Sequence, residues 1–189
     1  MRASLLLAGL VVSLSVELPA QARTLTPLLG GAIGYRAVGA WRVVERVGAG
    51  EAEGVVLALG PGADTSEVSA AVLAYRVAGP REAARLTDSV RQSLVALGGE
   101  EVERRALPDG SWATLWRIAL PAGERLVLDR VATRDRHLIV VRTSMLQVVP
   151  AVVDEIPRRL AAIEDLFATI HIEDRLVFPA STGVGITVW

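Results

Sequence analysis

The chain has 189 residues, with 20 basic and 21 acidic side chains, a formal net charge of −1 and no cysteine. Near-neutrality gives no broad electrostatic attraction to nucleic acid or to an anionic membrane, and the missing cysteine excludes disulfides, thiolate metal sites and cysteine catalysis. Every basic residue is arginine, and lysine and asparagine are both absent. The two missing residue types have A-rich codons, so the arginine content is expected of a GC-rich bacterial genome and is not a sign of phosphate binding.

The chain opens on Met1-Arg2, a positive start, followed by an apolar run over Leu5–Val16 that Glu17 and Pro19 close. Ala20-Gln21-Ala22 is a small-x-small site of the kind a signal peptidase cuts. The run is about a dozen residues long, short of the roughly twenty that span a bilayer. A signal peptide over residues 1–22 is therefore expected, cut between Ala22 and Arg23, with delivery to the periplasm or beyond; an uncleaved anchor is the alternative. An exported domain without disulfides must be stable through its core alone. The length from Arg23 onward suffices for one domain, since about 150 residues bury roughly two-thirds of their unfolded surface.

Arg23–Gly39 is rich in Gly, Pro and Thr and shows no periodicity, so residues 23–37 read as a linker or irregular lead-in. Ala40–Arg46, Val55–Leu59 and Val68–Val77 have β character. A helix is expected from Pro80, with Gly79 as N-cap and Gly98-Gly99 as terminator. Its stripe is Ala83, Leu86, Val90, Leu94 and Leu97. Glu101–Leu107 leads through the Pro108-Asp109-Gly110 turn into Ser111–Leu120, where Trp112, Thr114, Trp116, Ile118 and Leu120 share one face. Leu126–Thr133 and Leu138–Thr143 form a hairpin around Arg134-Asp135-Arg136, and these neighbours favour an antiparallel meander. A second helix is expected over Pro150–Ile170, with Pro157 kinking it or marking its true first turn. Residues 38–174 then make a single α+β domain, and 175–189 a C-terminal tail.

This order of strands, helix, meander and long last helix resembles the Mog1/PsbP-like superfamily of α/β/α sandwiches, over about residues 38–172. The features that carry it are Trp41-Arg42-Val43, Val68–Val77 before the Pro80–Leu97 helix, Gly110–Leu120, the two strands at 126–143 and the Pro150–Ile170 helix. The resemblance implies an antiparallel sheet between helices, a non-enzymatic role and partner binding or accessory work. It brings no catalytic or ligand residue with it. The tail after Asp174 departs from the family pattern, whose domain ends close to its last helix.

Motifs for chemistry are missing from the sequence. His137 and His171 have no ligand-spaced partner, so a metal site is not expected and both read as surface or structural residues. No Gly-x-Ser-x-Gly occurs. Ser181–Gly185 lacks a phosphate loop's lysine, and Gly30–Gly34 follows no convincing strand, so no cofactor is implied. Adjacent carboxylates such as Asp154-Glu155 and Glu164-Asp165 read as solvated helix charge. Trp112 and Trp116 are expected on a sheet face buried under a helix; the alternative is a ligand pocket there with Arg117 nearby. Arg130, Arg134, Arg136 and Arg142 read as a solvated strand edge, with an anion or acidic-partner patch as the alternative. An outer-membrane barrel is disfavoured by two helical stripes and only eight aromatic residues.

The function expected from these observations is that of an exported, non-catalytic domain that binds a protein partner in the cell envelope or assists an envelope process. The alternative is a small-ligand-binding protein or enzyme with a site assembled from distant residues. Neither nucleic acid nor a membrane span of the mature chain is expected, and the sequence leaves the oligomeric state open.

Overall fold

The structure, a computed structural model, describes residues 25–60, 68–121, 123–147 and 156–179. The expected signal peptide and its Ala22/Arg23 cleavage site lie outside these residues, as do the start of the second expected helix and the tail beyond residue 179.

The alternation read from the sequence becomes a seven-stranded antiparallel sheet. Its strands are β3 (Trp41–Ala49), β4 (Ala52–Leu59), β5 (Val68–Arg76), β6 (Gly99–Ala106), β7 (Trp112–Leu120), β8 (Gly123–Arg134) and β9 (His137–Gln147), in the order β3-β4-β5-β9-β8-β7-β6. The β8–β9 hairpin turns through Asp135 and Arg136, both at positive φ (45° and 63°), with Arg134 opposite His137. That backbone matches the twist of a two-residue hairpin, although glycine and asparagine usually supply it.

The helix α1 (Pro80–Ala96) begins after Gly79, with Pro80 in its first turn, and ends before Gly98, which adopts φ +79°. It lies on one face of the sheet. Ala83 packs with Val77, Leu138 and Val140, whereas Leu94 packs with Trp116, Ile118 and Val127. The helix axis therefore runs diagonally, from β5 and β9 at its first turns toward β7 and β8 at its last. Leu97, expected in the apolar stripe, lies past the helix end and is exposed.

The helix α2 (Ile156–Phe167) covers the opposite face and buries Ile163, Leu166 and Phe167. Pro157 lies in its first turn, where a missing N–H costs nothing. Trp41 donates its indole N–H to the Ala162 carbonyl at 2.9 Å, tying β3 to this helix.

The lead-in is not irregular. Thr26–Leu28 (β1) and Ile33–Tyr35 (β2) are strands, and a second sheet joins them to His171–Ile172 (β10) and Arg175–Leu176 (β11), in the order β1-β2-β10-β11. Leu28, Leu29, Ile33 and Tyr35 are buried in the α2-side core, as are Val177 and Phe178 from the expected tail. The folded unit therefore extends on both sides of 38–174. The lead-in turns back on itself through Leu29, Gly30 and Gly31, all at positive φ, and the Leu29 N–H is held by the Glu53 carboxylate at 2.6 Å.

Candidate functional site

A helix laid diagonally cannot cover a rectangular sheet face. Beside the first half of α1, the corner formed by the start of β7 and the end of β8 stays open. The result is a groove of about 560 Å³. Pro80, Ala83 and Ala84 form its helix wall, and Val131 and Trp112 lie across from them on the sheet. Trp112 is 45% exposed, whereas Trp116, on the same face of the same strand, is 1% exposed beneath the end of α1. The register explains the polar rim. Arg104 on β6 faces Thr114 and is thus diagonal to Trp112, and its guanidinium lies 4.8 Å from the Trp112 ring centroid. Arg136, at the β8–β9 tip, is brought to the groove because its carbonyl accepts the Val77 N–H at 2.9 Å, just before α1 begins.

The charges here do not balance. Asp109 and Asp135, in the neighbouring turns, are engaged by Arg130 and Arg175. Asp88 is the acid among the groove-lining residues. Arg104 and Arg136 have no carboxylate partner among the described residues.

Two further arginines of the same hairpin are drawn inward, one on each face of the sheet, Arg130 buried and Arg142 partly buried. β8 and β9 are interior strands, so the expected solvated strand edge is not what forms. On the α2 side, Arg130 donates to Asp109 Oδ2 at 2.6 Å and to Ser111 Oγ at 3.3 Å, with the rings of Phe178 and Phe167 4.7 and 5.3 Å away. Burial works against ionisation of Asp109. Hydrogen bonds from the Ser111 hydroxyl and N–H, together with the Arg130 charge, outweigh it and hold the carboxyl below its ordinary range. On the α1 side, Arg142 grips Asp129 through two contacts of 2.7 and 2.9 Å and reaches the Val90 carbonyl of α1 at 2.9 Å. Here burial dominates, pushing the Asp129 carboxyl up despite Arg142. Arg134 donates to the Asp109 carbonyl, bracing the turn at one end of the groove. Of the four clustered arginines, then, two hold the core, one holds a turn and only Arg136 faces the groove.

No protein-family profile matches the chain, and no curated protein matches it in sequence. Solved structures do. The Ran-binding protein Mog1p of Saccharomyces cerevisiae superposes with a TM-score of 0.52 at 12% identity, over 79% of this chain and 94% of its own. Cyanobacterial PsbP of Synechocystis superposes with a TM-score of 0.51 at 14% identity, over 79% of this chain and 91% of its own. This is the Mog1/PsbP-like fold.

Within the Mog1/PsbP-like sandwich, the tryptophan face divides. Trp116 takes the expected place under the helix, whereas Trp112 becomes the aromatic wall of the groove. Arg117 points away from both, on the opposite face of β7, and pairs with Glu100 at 2.7 Å. His137 begins β9, and its Nδ1 is buried without a partner among the described residues. His171 lies in β10, with Nδ1 2.9 Å from the Thr169 carbonyl. Among the described residues no cluster of three or more His, Asp or Glu could hold a metal, and no helix is long and apolar enough to cross a membrane. Sequence reasoning missed Arg104, because a Glu- and Arg-rich strand gives no sign of which arginine will stack on an indole.

Proposed function

We propose that this chain is an exported, non-catalytic domain that holds a protein partner in the cell envelope, and that the groove beside α1 seats that partner. The observation that carries the reading is Trp112: a half-exposed indole at an open apolar trough, flanked by arginines that have no acidic partner among the described residues. Tryptophan and arginine are the residue types that dominate protein–protein contact energies. A half-exposed indole beside an apolar trough is the kind of surface that a partner covers. Mog1p, which shares the fold, is described as a Ran-binding protein, so the same framework serves partner binding elsewhere. The expected signal peptide supplies the compartment.

A photo-crosslinking residue placed at position 112 in cells tests the site. A discrete adduct is expected there and none from the same residue at exposed Glu45 on β3. N-terminal sequencing of the exported protein is expected to begin at Arg23. Failure to form the adduct overturns the site, and protein that starts at Met1 inside the cell overturns the export.

A further inference from the structure

We infer that the segment recognised by this groove is extended and acidic and carries a large apolar side chain. The inference rests on the partner-binding reading above and names the chemistry of the partner. Three independent observations lead to it.

The first is charge. Arg104 and Arg136 both border the groove, and the acids of the adjacent turns are already spent on Arg130 and Arg175. Stacking on Trp112 holds the Arg104 guanidinium in place and strips part of its water, which strengthens its attraction to a carboxylate. Arg136 sits at positive φ in the tight turn, a conformation uncommon for a residue other than glycine or asparagine. The turn and the Val77 hydrogen bond to its carbonyl fix the Arg136 backbone at the end of the groove.

The second is shape. The trough is open, with a tryptophan 45% exposed at its side. A small molecule lying there would leave much of its own surface wet, whereas small-molecule sites bury about 70–90% of their ligand. An open trough with one aromatic wall suits a side chain lowered from a longer chain.

The third is the sheet edge. β6 is the last strand of the seven, and Arg104 lies on it. The outer backbone groups of an edge strand pair readily with an extended chain. A segment that pairs with β6 near Arg104 and then crosses inward over the open corner can place one carboxylate at Arg104 and another at Arg136, two strands further in, and lower an apolar side chain between Trp112 and the Pro80–Ala84 wall.

Fluorescence anisotropy on the full mature protein provides the test. The probe is a labelled nonapeptide alternating glutamate with leucine and phenylalanine; controls replace its glutamates with lysine or its apolar residues with glycine. Saturable binding is expected for the first peptide alone, weakening as salt rises. Arg104→Gln with Arg136→Gln should lower its affinity about tenfold, the combined loss of two exposed charge contacts. Both arginines are outside the core, and an unchanged melting temperature verifies the fold. Equal binding of the lysine peptide, or indifference to the double substitution, overturns the inference. Displacement of the probe by stoichiometric decanoate also overturns it, in favour of a small carboxylate ligand. An adduct at position 112 in cells combined with no acidic-peptide binding retains the partner reading and removes only the chemistry assigned here.

Discussion

The two faces of the seven-stranded sheet are covered by different means. On the α2 side, a helix and a small four-stranded sheet close over the apolar residues of β4, β5, β8 and β9, and the chain's first and last described segments meet there. On the α1 side, a single diagonal helix does the work, its contacts fall into two smaller clusters, and the uncovered corner is the groove. Each face also holds one arginine of the β8–β9 hairpin in an ion pair with an aspartate. Arg130 and Asp109 are 5% and 6% exposed, sealed under aromatic rings. Arg142 and Asp129 are 20% and 5% exposed, and Arg142 holds α1 by a backbone carbonyl. The contrast shows how one sheet separates a sealed face from an open one: the doubly covered face carries the main core, and the singly covered face can leave an indole in water.

If that separation holds, the largest effect should come from the sealed ion pair. Asp109→Ala leaves the Arg130 charge buried between Phe167 and Phe178 and removes the acceptor for Ser111. A loss of about 3–5 kcal/mol is expected in urea unfolding. A loss under about 1 kcal/mol would mean that Arg130 escapes to water and that the α2 face is not sealed. The tryptophans draw the comparison within one strand. Trp116→Ala should cost about 3–5 kcal/mol, as for other buried aromatic truncations. Trp112→Ala should stay within about 0.5 kcal/mol of the parent in stability while losing peptide binding. Similar stability losses at both positions would place Trp112 in the core and erase the groove.

Much of this was legible in the sequence, and the exceptions have physical causes. The seven long strands and α1 follow from alternation and capping, because periodicity over eight or more residues leaves few alternatives. The strands β1, β2, β10 and β11 are two or three residues long, too short for a period to register, so 23–37 read as a linker or irregular lead-in and 175–189 as a tail, although Leu28, Leu29, Ile33, Tyr35, Val177 and Phe178 are buried. The arginines misled for another reason. Alternation assigns Arg130 and Arg142 to faces, but it does not say which faces are covered on both sides, and their partners Asp109 and Asp129 lie 21 and 13 residues away. Pro108-Asp109-Gly110 was legible as a turn; the second task of its aspartate was not. For Trp112 and Trp116 the shared face was correct, and only the diagonal of α1 distinguishes them. That angle is a tertiary quantity with no local signal.

Next in size is the lead-in. Ile33→Ala should lower stability by about 2–5 kcal/mol, the range for a buried aliphatic. A value near zero would detach the small sheet from the core and make the α2 face as thinly covered as the other.

The acid limb of stability should distinguish the two buried carboxylates, because their shifts have opposite signs. Asp109 is held below its unfolded value of about 3.9, so the unfolded chain binds its proton more readily. Its contribution is complete above that value and is lost as pH falls through the lower, folded one. Asp129 is raised, so its contribution is present below the unfolded value and diminishes as pH rises through the folded one. Urea titrations from pH 6 to pH 2 should therefore show Asp109→Asn flattening the acid-side loss and Asp129→Asn steepening it. The same slope in both variants would mean that the two pairs are equivalent and that the faces do not differ electrostatically.

The smallest effect, and one with an unusual sign, is expected at Tyr35. Its side chain is fully buried in the α2-side core, and its hydroxyl has no hydrogen-bond partner among the described residues. A buried hydroxyl without a partner has given up its water for nothing, whereas the ring keeps its packing in either form. Tyr35→Phe should therefore leave stability unchanged or raise it by up to about 1 kcal/mol, even though the site lies in the most thoroughly covered part of the molecule. A loss greater than about 1 kcal/mol on urea unfolding would reveal a bound water or a further polar group at that hydroxyl. The sealed face would then contain a second polar feature besides the Arg130–Asp109 pair, and the division between a sealed face and an open one would have to be redrawn at β2.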